Sequence, residues 1–152
     1  MGVSLWLLLS LLVSPGTHAA QQQVDRPSLC SVATTVVVAE VTSLETQWAA
    51  GERGGIERRA WLSVLKTAHG DPKDTLEIIL PGGSMGQISQ WVEDVPSLQL
   101  DRPYLLFLGT HQDRLHIIGG DQGAIPISMA PGSPGESMAE ALNSLGGCRA
   151  KN

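Results

Sequence analysis

The chain has 152 residues, a formal net charge of −5 and only 16% charged residues. With no basic run longer than Arg58-Arg59, it lacks the positive face that binding to nucleic acid or to anionic lipid requires. Its aromatic residues are few and scattered, so no platform for stacking bases is visible.

Residues 1–20 stand apart from the rest. Val3 to Val13 is apolar except for Ser4 and Ser10, and helix-breaking Ser14-Pro15-Gly16 and the small-residue end Thr17-His18-Ala19-Ala20 follow. That layout predicts a secretory signal peptide cleaved after Ala19 or Ala20. The apolar run is too short for a bilayer core of about 30 Å, which takes roughly 20 residues, so no stable membrane anchor is expected. Cys30 lies too far beyond the run to be a lipoprotein cysteine. The expected location is secreted or periplasmic.

Cleavage leaves roughly 130 residues, enough for one domain over residues 30–148 with a real core. Residues 21–29 form a polar, Pro-containing lead-in. The two cysteines, Cys30 and Cys148, lie near the two ends of that domain, and in an oxidising compartment they predict one disulfide. Two cysteines cannot build a four-thiolate zinc site, and no CxxC redox pair occurs.

From Thr34 the chain becomes strand-like, with Val36-Val37-Val38-Ala39-Glu40-Val41 almost wholly β-branched or small. Ala50 to Gly55 reads as a hairpin-type connection. Glu57 to Lys66 predicts a second strand with Ala60, Leu62 and Val64 on one face and Trp61, Ser63 and Leu65 on the other. Thr67 to Asp74 is a loop, and Thr75 to Leu80 a third strand ended by Pro81-Gly82-Gly83. Gln87 to Val92 fits either a helix or a strand, and the Gly-rich turn before it favours a strand paired back on the third.

Pro103 to Leu108 carries no charge and holds the chain's only Tyr and only Phe, fenced by Asp101-Arg102 and Gly109. So short an apolar run predicts a strand buried on both faces. The neighbouring half-apolar segments would cover it, closing a small β-barrel or sandwich around it. After a polar turn at Thr110 to Arg114 come strands at Leu115 to Ile118 and Ala124 to Ile127, joined by the turn Gly119 to Gly123. Ser133-Pro134-Gly135-Glu136 offers a capping box, with Met138, Leu142 and Leu145 at helical spacing, and predicts a C-terminal helix over 134–145.

This order of parts resembles a known family. Val38-Ala39-Glu40-Val41, Val64-Leu65-Lys66, Leu80-Pro81-Gly82-Gly83, Arg102 to Leu108 and the Gly119-x-x-x-Gly123 turn together look like a bacterial secreted domain of unknown function. The resemblance runs from about Val36 to Ile127. It implies a mainly β fold, a small closed antiparallel OB-like β-barrel similar to netrin-type modules and tissue inhibitors of metalloproteinases, here with one C-terminal helix. The inhibitors chelate a protease zinc through a cysteine at the mature amino terminus. Cys30 lies well beyond the predicted cut, so that mechanism is not carried over.

Three constellations bear on chemistry. Gly82-Gly83-Ser84-Met85-Gly86 is a literal G-x-S-x-G, which in an α/β-hydrolase exposes a nucleophilic serine, and Ser84 with Asp101 or Asp113 and His116 has the required chain order. The succession of strands lacks the alternation that fold needs, and a glycine-rich hairpin turn is the simpler reading. His69, His111 and His116 with Asp71 or Asp113 show no metal-ligand spacing, and neither a metal nor a cofactor is expected. Trp48, Trp61 and Trp91, with Met85 nearby, form either core or an exposed platform, and core is the expected fate of large aromatics. The expectation is a secreted, non-catalytic binding or accessory protein. Its partner would be a protein, with an exported protease or a cell-envelope component as the candidates. A small serine hydrolase using Ser84 is the alternative.

Overall fold

The computed structural model describes residues 24–50, 54–130, 132, 135–146 and 148. The predicted export signal over residues 1–20 lies outside the described residues, as do Ser133 and Pro134.

The fold is mainly β, with nine strands and two α-helices among the described residues. The elements run α1 (Arg26–Val32), β1 (Thr35–Trp48), β2 (Ile56–His69), β3 (Thr75–Pro81), β4 (Gly83–Met85), β5 (Ile88–Gln90), β6 (Pro103–His111), β7 (Arg114–Ile117), β8 (Ala124–Ser128), β9 (Glu136–Ser137) and α2 (Met138–Asn143). Seven strands form one sheet in the order β1-β2-β3-β7-β6-β8-β9, and β1 also pairs with β6. The β3–β7 contact is parallel and rests on Ile78 opposite Leu115; the β1–β2, β2–β3, β6–β7 and β1–β6 pairings are antiparallel. β4 and β5 make a separate two-stranded hairpin.

β6 is the strand buried on both faces, from Pro103 to Gly109. Alternation along β1 and β6 divides the interior in two. Val37, Ala39 and Val41 with Tyr104, Leu106 and Leu108 face Ala60, Leu62, Leu76 and Ile78 of β2 and β3. Val36 and Val38 with Leu105 and Phe107 face the other way, onto Leu29, Ile127, Ala141 and Leu145. The neighbouring strands were expected to cover β6, with the C-terminal helix packing one stripe on the barrel; on the second side α1, α2, Leu145 and Ile127 of β8 together form the cover.

Those ends are therefore built differently from the sequence expectation. The described part of the polar lead-in enters a helix: Asp25 caps α1, accepting a 3.0 Å hydrogen bond from the Ser28 amide, with Pro27 in the first turn. The C-terminal helix begins at Met138, not Pro134, because the capping box is Ser137 with Glu140. Glu140 Oε2 accepts from the Ser137 amide at 3.0 Å, and the Glu140 amide donates to Ser137 Oγ at 3.2 Å. Glu136, expected to close the box, instead lies in β9 and receives both guanidinium nitrogens of Arg26, at 3.0 and 2.6 Å. Cys30, inside α1, is joined to Cys148 by the predicted disulfide, with Cα atoms 5.2 Å apart, so the bridge ties α1 to the segment that follows α2 over the second core.

The remaining differences concern strand ends and turns. β1 runs on to Trp48, past its expected end at Val41, to make a long hairpin arm with the start of β2, and β2 runs on to His69 at its other end, into the expected loop. The polar turn after β6 shortens to Gln112 and Asp113, both at positive φ, which matches the right-handed twist of the strands it joins. Gly120–Gly123 is a 3₁₀ turn, where a Cβ on Gly123 would fall 1.7 Å from the Ile118 carbonyl oxygen. The strand expected at Gln87 to Val92 forms as β5, yet pairs with β4 and not with β3.

Candidate functional site

The arm formed by β1 and β2 projects beyond the first core, and the β4–β5 hairpin lies across its inward face. Gly83, at φ 143, makes this packing possible: a Cβ there would sit 3.1 Å from both Arg58 Cγ and Thr46 Cγ2 and 3.2 Å from Ile56 Cγ2. Ile56 is the anchor. Its amide donates to Gln90 Oε1 at 2.6 Å and its carbonyl accepts from the Gly82 amide at 2.7 Å, so both ends of the hairpin are tied to one residue of β2. Gly86, at φ 60, takes the first position of the two-residue turn between β4 and β5.

Between the hairpin, the end of β2 and the segment after β5 lies a cleft of about 280 Å³. Arg58, Ser84, Ser89, Trp91 and Val95 are among its walls. The hydroxyls of Ser84 and Ser89 are cross-strand neighbours 2.8 Å apart. Trp91 is 81% exposed, and Trp48 and Ile88 stand 53% and 55% exposed on the same arm and hairpin.

Two adjacent arginines differ here in the face they take and in their charge partners. Arg59 points to the outer face of β2, where Glu77 lies 3.2 Å and Glu57 3.9 Å away. Arg58 points inward, in register with Ala60 and Leu62, and no hydrogen bond or ion pair to it is found among the described residues. Its Nε is buried.

The sequence-predicted residues are distributed as follows. Ser84 lines the cleft on β4, a strand and not the expected turn, and its hydroxyl is engaged with Ser89. His116 lies on β7 and lines a different cleft with His111 and Arg114. Asp101 occupies a turn at φ 56, where its amide donates to the Val41 carbonyl at 2.8 Å, and Asp113 sits in the β6–β7 turn. The structure thus brings Ser84 beside neither histidine nor acid; the walls of its cleft contain no Asp, Glu or His. His69 ends β2, near Leu142 and away from His111 and His116, and Asp71 follows it in the loop. Among the described residues no group of three or more His, Cys, Asp or Glu stands close enough to hold a metal ion.

The tryptophans depart from expectation. Trp48 and Trp91 are exposed and not core, because one ends β1 beyond the packed part of the sheet and the other follows β5. Trp61 is half-buried on the outer face of β2, opposite Ser43 and Glu77, so the three do not share one surface. Met85 is half-buried, opposite Ile88 at the hairpin end. Arg58 was noted in the sequence only as half of a short basic pair. Its place two residues before Ala60 and four before Leu62 put a charge on the buried face of a strand, and that was the available signal.

Comparison with known proteins finds no family model, no curated relative and no solved structure that matches this chain.

Proposed function

We propose that the chain is an exported, non-catalytic binding protein, secreted or periplasmic, built on a closed OB-like barrel and engaging a protein partner through the end that carries the β4–β5 hairpin. The circuit of pairings from β1 through β2, β3, β7 and β6 back to β1, with β3 and β7 parallel, supports the barrel. The disulfide from Cys30 in α1 to Cys148, beyond the end of α2, supports an oxidising destination. No helix among the described residues is long and apolar enough to cross a membrane.

The observation that carries the reading is the exposure of Trp91 on the wall of the cleft, with Trp48 exposed on the β1–β2 arm and Ile88 on the hairpin. Large aromatics left in water are the anchors of protein interfaces, where they bring much contact area at small entropic cost. An acyl-transfer site needs a base within about 3 Å of its nucleophile, and the cleft walls supply none to Ser84. An exported protease or an envelope protein is the candidate partner.

The test is capture from the producing cell's secreted and envelope fractions by the wild-type protein and by Trp91→Ala. A stoichiometric partner retained by the first and lost by the second is expected. Equal retention, or none by either, overturns the reading. Turnover of a generic ester that disappears in Ser84→Ala would replace it with the hydrolase alternative.

A further inference from the structure

We propose that the cleft beneath the β4–β5 hairpin is a carboxylate site, taking one anionic group from a peptide segment of the partner; the inference rests on the binding-protein reading above. Arg58 is the reason. The Nε of Arg58 is buried without a hydrogen bond, as is that of Arg59, but Arg58 alone of the two has no carboxylate beside its guanidinium among the described residues, and burial of an unmade donor is penalised by its desolvation. Its neighbour Arg59 shows what the same sequence does with an arginine that serves the fold, holding it between two carboxylates. Arg58 instead opens onto a cleft.

The other walls complete a recognition site. Of the two hydroxyl hydrogens on Ser84 and Ser89, one is spent in their mutual bond, which leaves the other to donate to a ligand oxygen. Trp91 and Val95 supply an apolar flank for the carbon skeleton that bears the anion.

Chemistry and size narrow the ligand. A single guanidinium fork matches a carboxylate in two parallel bonds, whereas a phosphate dianion calls for further cations that these walls do not contain. On a chain of net charge −5, extended polyanions are repelled and only a lone anion at a local cation is favoured. The cleft, about 280 Å³, falls just below the usual range for drug-sized ligands, roughly 300 to 1,000 Å³, and fits the side chain or terminus of one residue. The carboxylate is either a chain terminus or an Asp or Glu side chain.

The experiment uses ¹⁵N-labelled protein recovered from secretion with its disulfide intact. The probes are acetyl-Ala-Leu-Ala with a free carboxyl terminus, the same peptide amidated, acetyl-Ala-Asp-Ala-amide, and inorganic phosphate. Saturable shifts of the Trp91 indole and the Ser84 and Ser89 amides are expected with the first peptide, the third, or both, and the stronger of the two identifies the source of the carboxylate. The amidated peptide and phosphate bind at least tenfold more weakly. Arg58→Gln weakens the carboxylate peptide by about tenfold or more, equivalent to about 1.4 kcal/mol, and melts no lower than wild type because the guanidinium makes no bond within its own fold. Equal binding of acid and amide, preference for phosphate, no effect of Arg58→Gln, or a clear loss of stability in that variant each overturns the proposal. If Arg58→Gln retains the captured partner while Trp91→Ala loses it, the carboxylate site falls and the interface reading stands. If both variants retain it, the interface reading itself falls.

Discussion

The Cys30–Cys148 bridge closes a span of 118 residues, nearly the whole described domain, and replacing both cysteines by serine should expose its full entropic contribution. On the chain-entropy model a loop of that length lowers the free energy of folding by about 5 kcal/mol at 25 °C. That is a third or more of the 5 to 15 kcal/mol typical of domains. With an unfolding entropy of about 2.1 cal/mol/K per residue over roughly 130 residues, the melting temperature should fall by about 18 °C. The loss should begin at the helices. Cys30 and Cys148 hold α1 and the segment after α2 against Val36, Val38, Leu105 and Phe107, beside polar ties from Arg26 to Glu136 and Ser144 and apolar contacts that include Leu29, Ala141 and Leu145. Thermal melting by near-ultraviolet circular dichroism gives the shift, and amide exchange locates it. Amides of α1 and α2 should lose protection before those of β1 and β2. A fall of less than about 5 °C, or uniform loss of protection across sheet and helices, would refute the argument.

Two further outcomes test the core and the helix caps. Phe107 is wholly buried in the second core, so Phe107→Ala should cost about 3 to 5 kcal/mol in denaturant unfolding with an unchanged slope, while Ile88→Ala on the exposed hairpin should shift the midpoint little. A Phe107→Ala cost below about 1 kcal/mol would mean that the helical layer is not packed as described. The Asp25 carboxyl is held below its ordinary range by the Ser28 hydroxyl and then the Ser28 amide, and Glu140 likewise by the Ser137 hydroxyl and amide. A carboxylate depressed in the folded state lends stability above its unfolded value, and that stability is lost as pH falls through the folded value. Both caps should therefore loosen below about pH 4, seen as faster exchange in α1 and α2 than in β1, and Glu140→Gln should remove the acid dependence of α2 alone.

The strands were legible in the sequence because period-two burial is a local property. Val36 to Val41, Ala60 with Leu62, and Pro103 to Leu108 each state their own faces, and the uncharged run of β6 announced that both of its sides would be covered. The disulfide was also legible, since two cysteines in a chain expected to be exported leave one pairing within it. What would cover the second side of β6 was not. α1 spans only Arg26–Val32 and α2 only Met138–Asn143, too short to be stable alone, and they persist because the second core and the bridge hold them. The cap at Ser137 and the one expected at Ser133 carry the same S-x-x-E pattern, and only the pairing of β9 with β8 decides which is used.

The cleft was decided at the tertiary level altogether. Gly82, Gly83 and Ser84 form a recognisable motif in one dimension, yet what surrounds Ser84 depends on where the hairpin lands, and it lands on Ile56 and Arg58. A sequence determines which residues prefer strands, turns and burial, since those preferences act between near neighbours. It does not by itself say which distant strand end a short hairpin will cover, or that of two consecutive arginines one will find two carboxylates and the other an open cleft. That choice belongs to long-range packing, where strand alternation turned Arg59 outward to Glu57 and Glu77 and Arg58 inward beneath the β4–β5 hairpin.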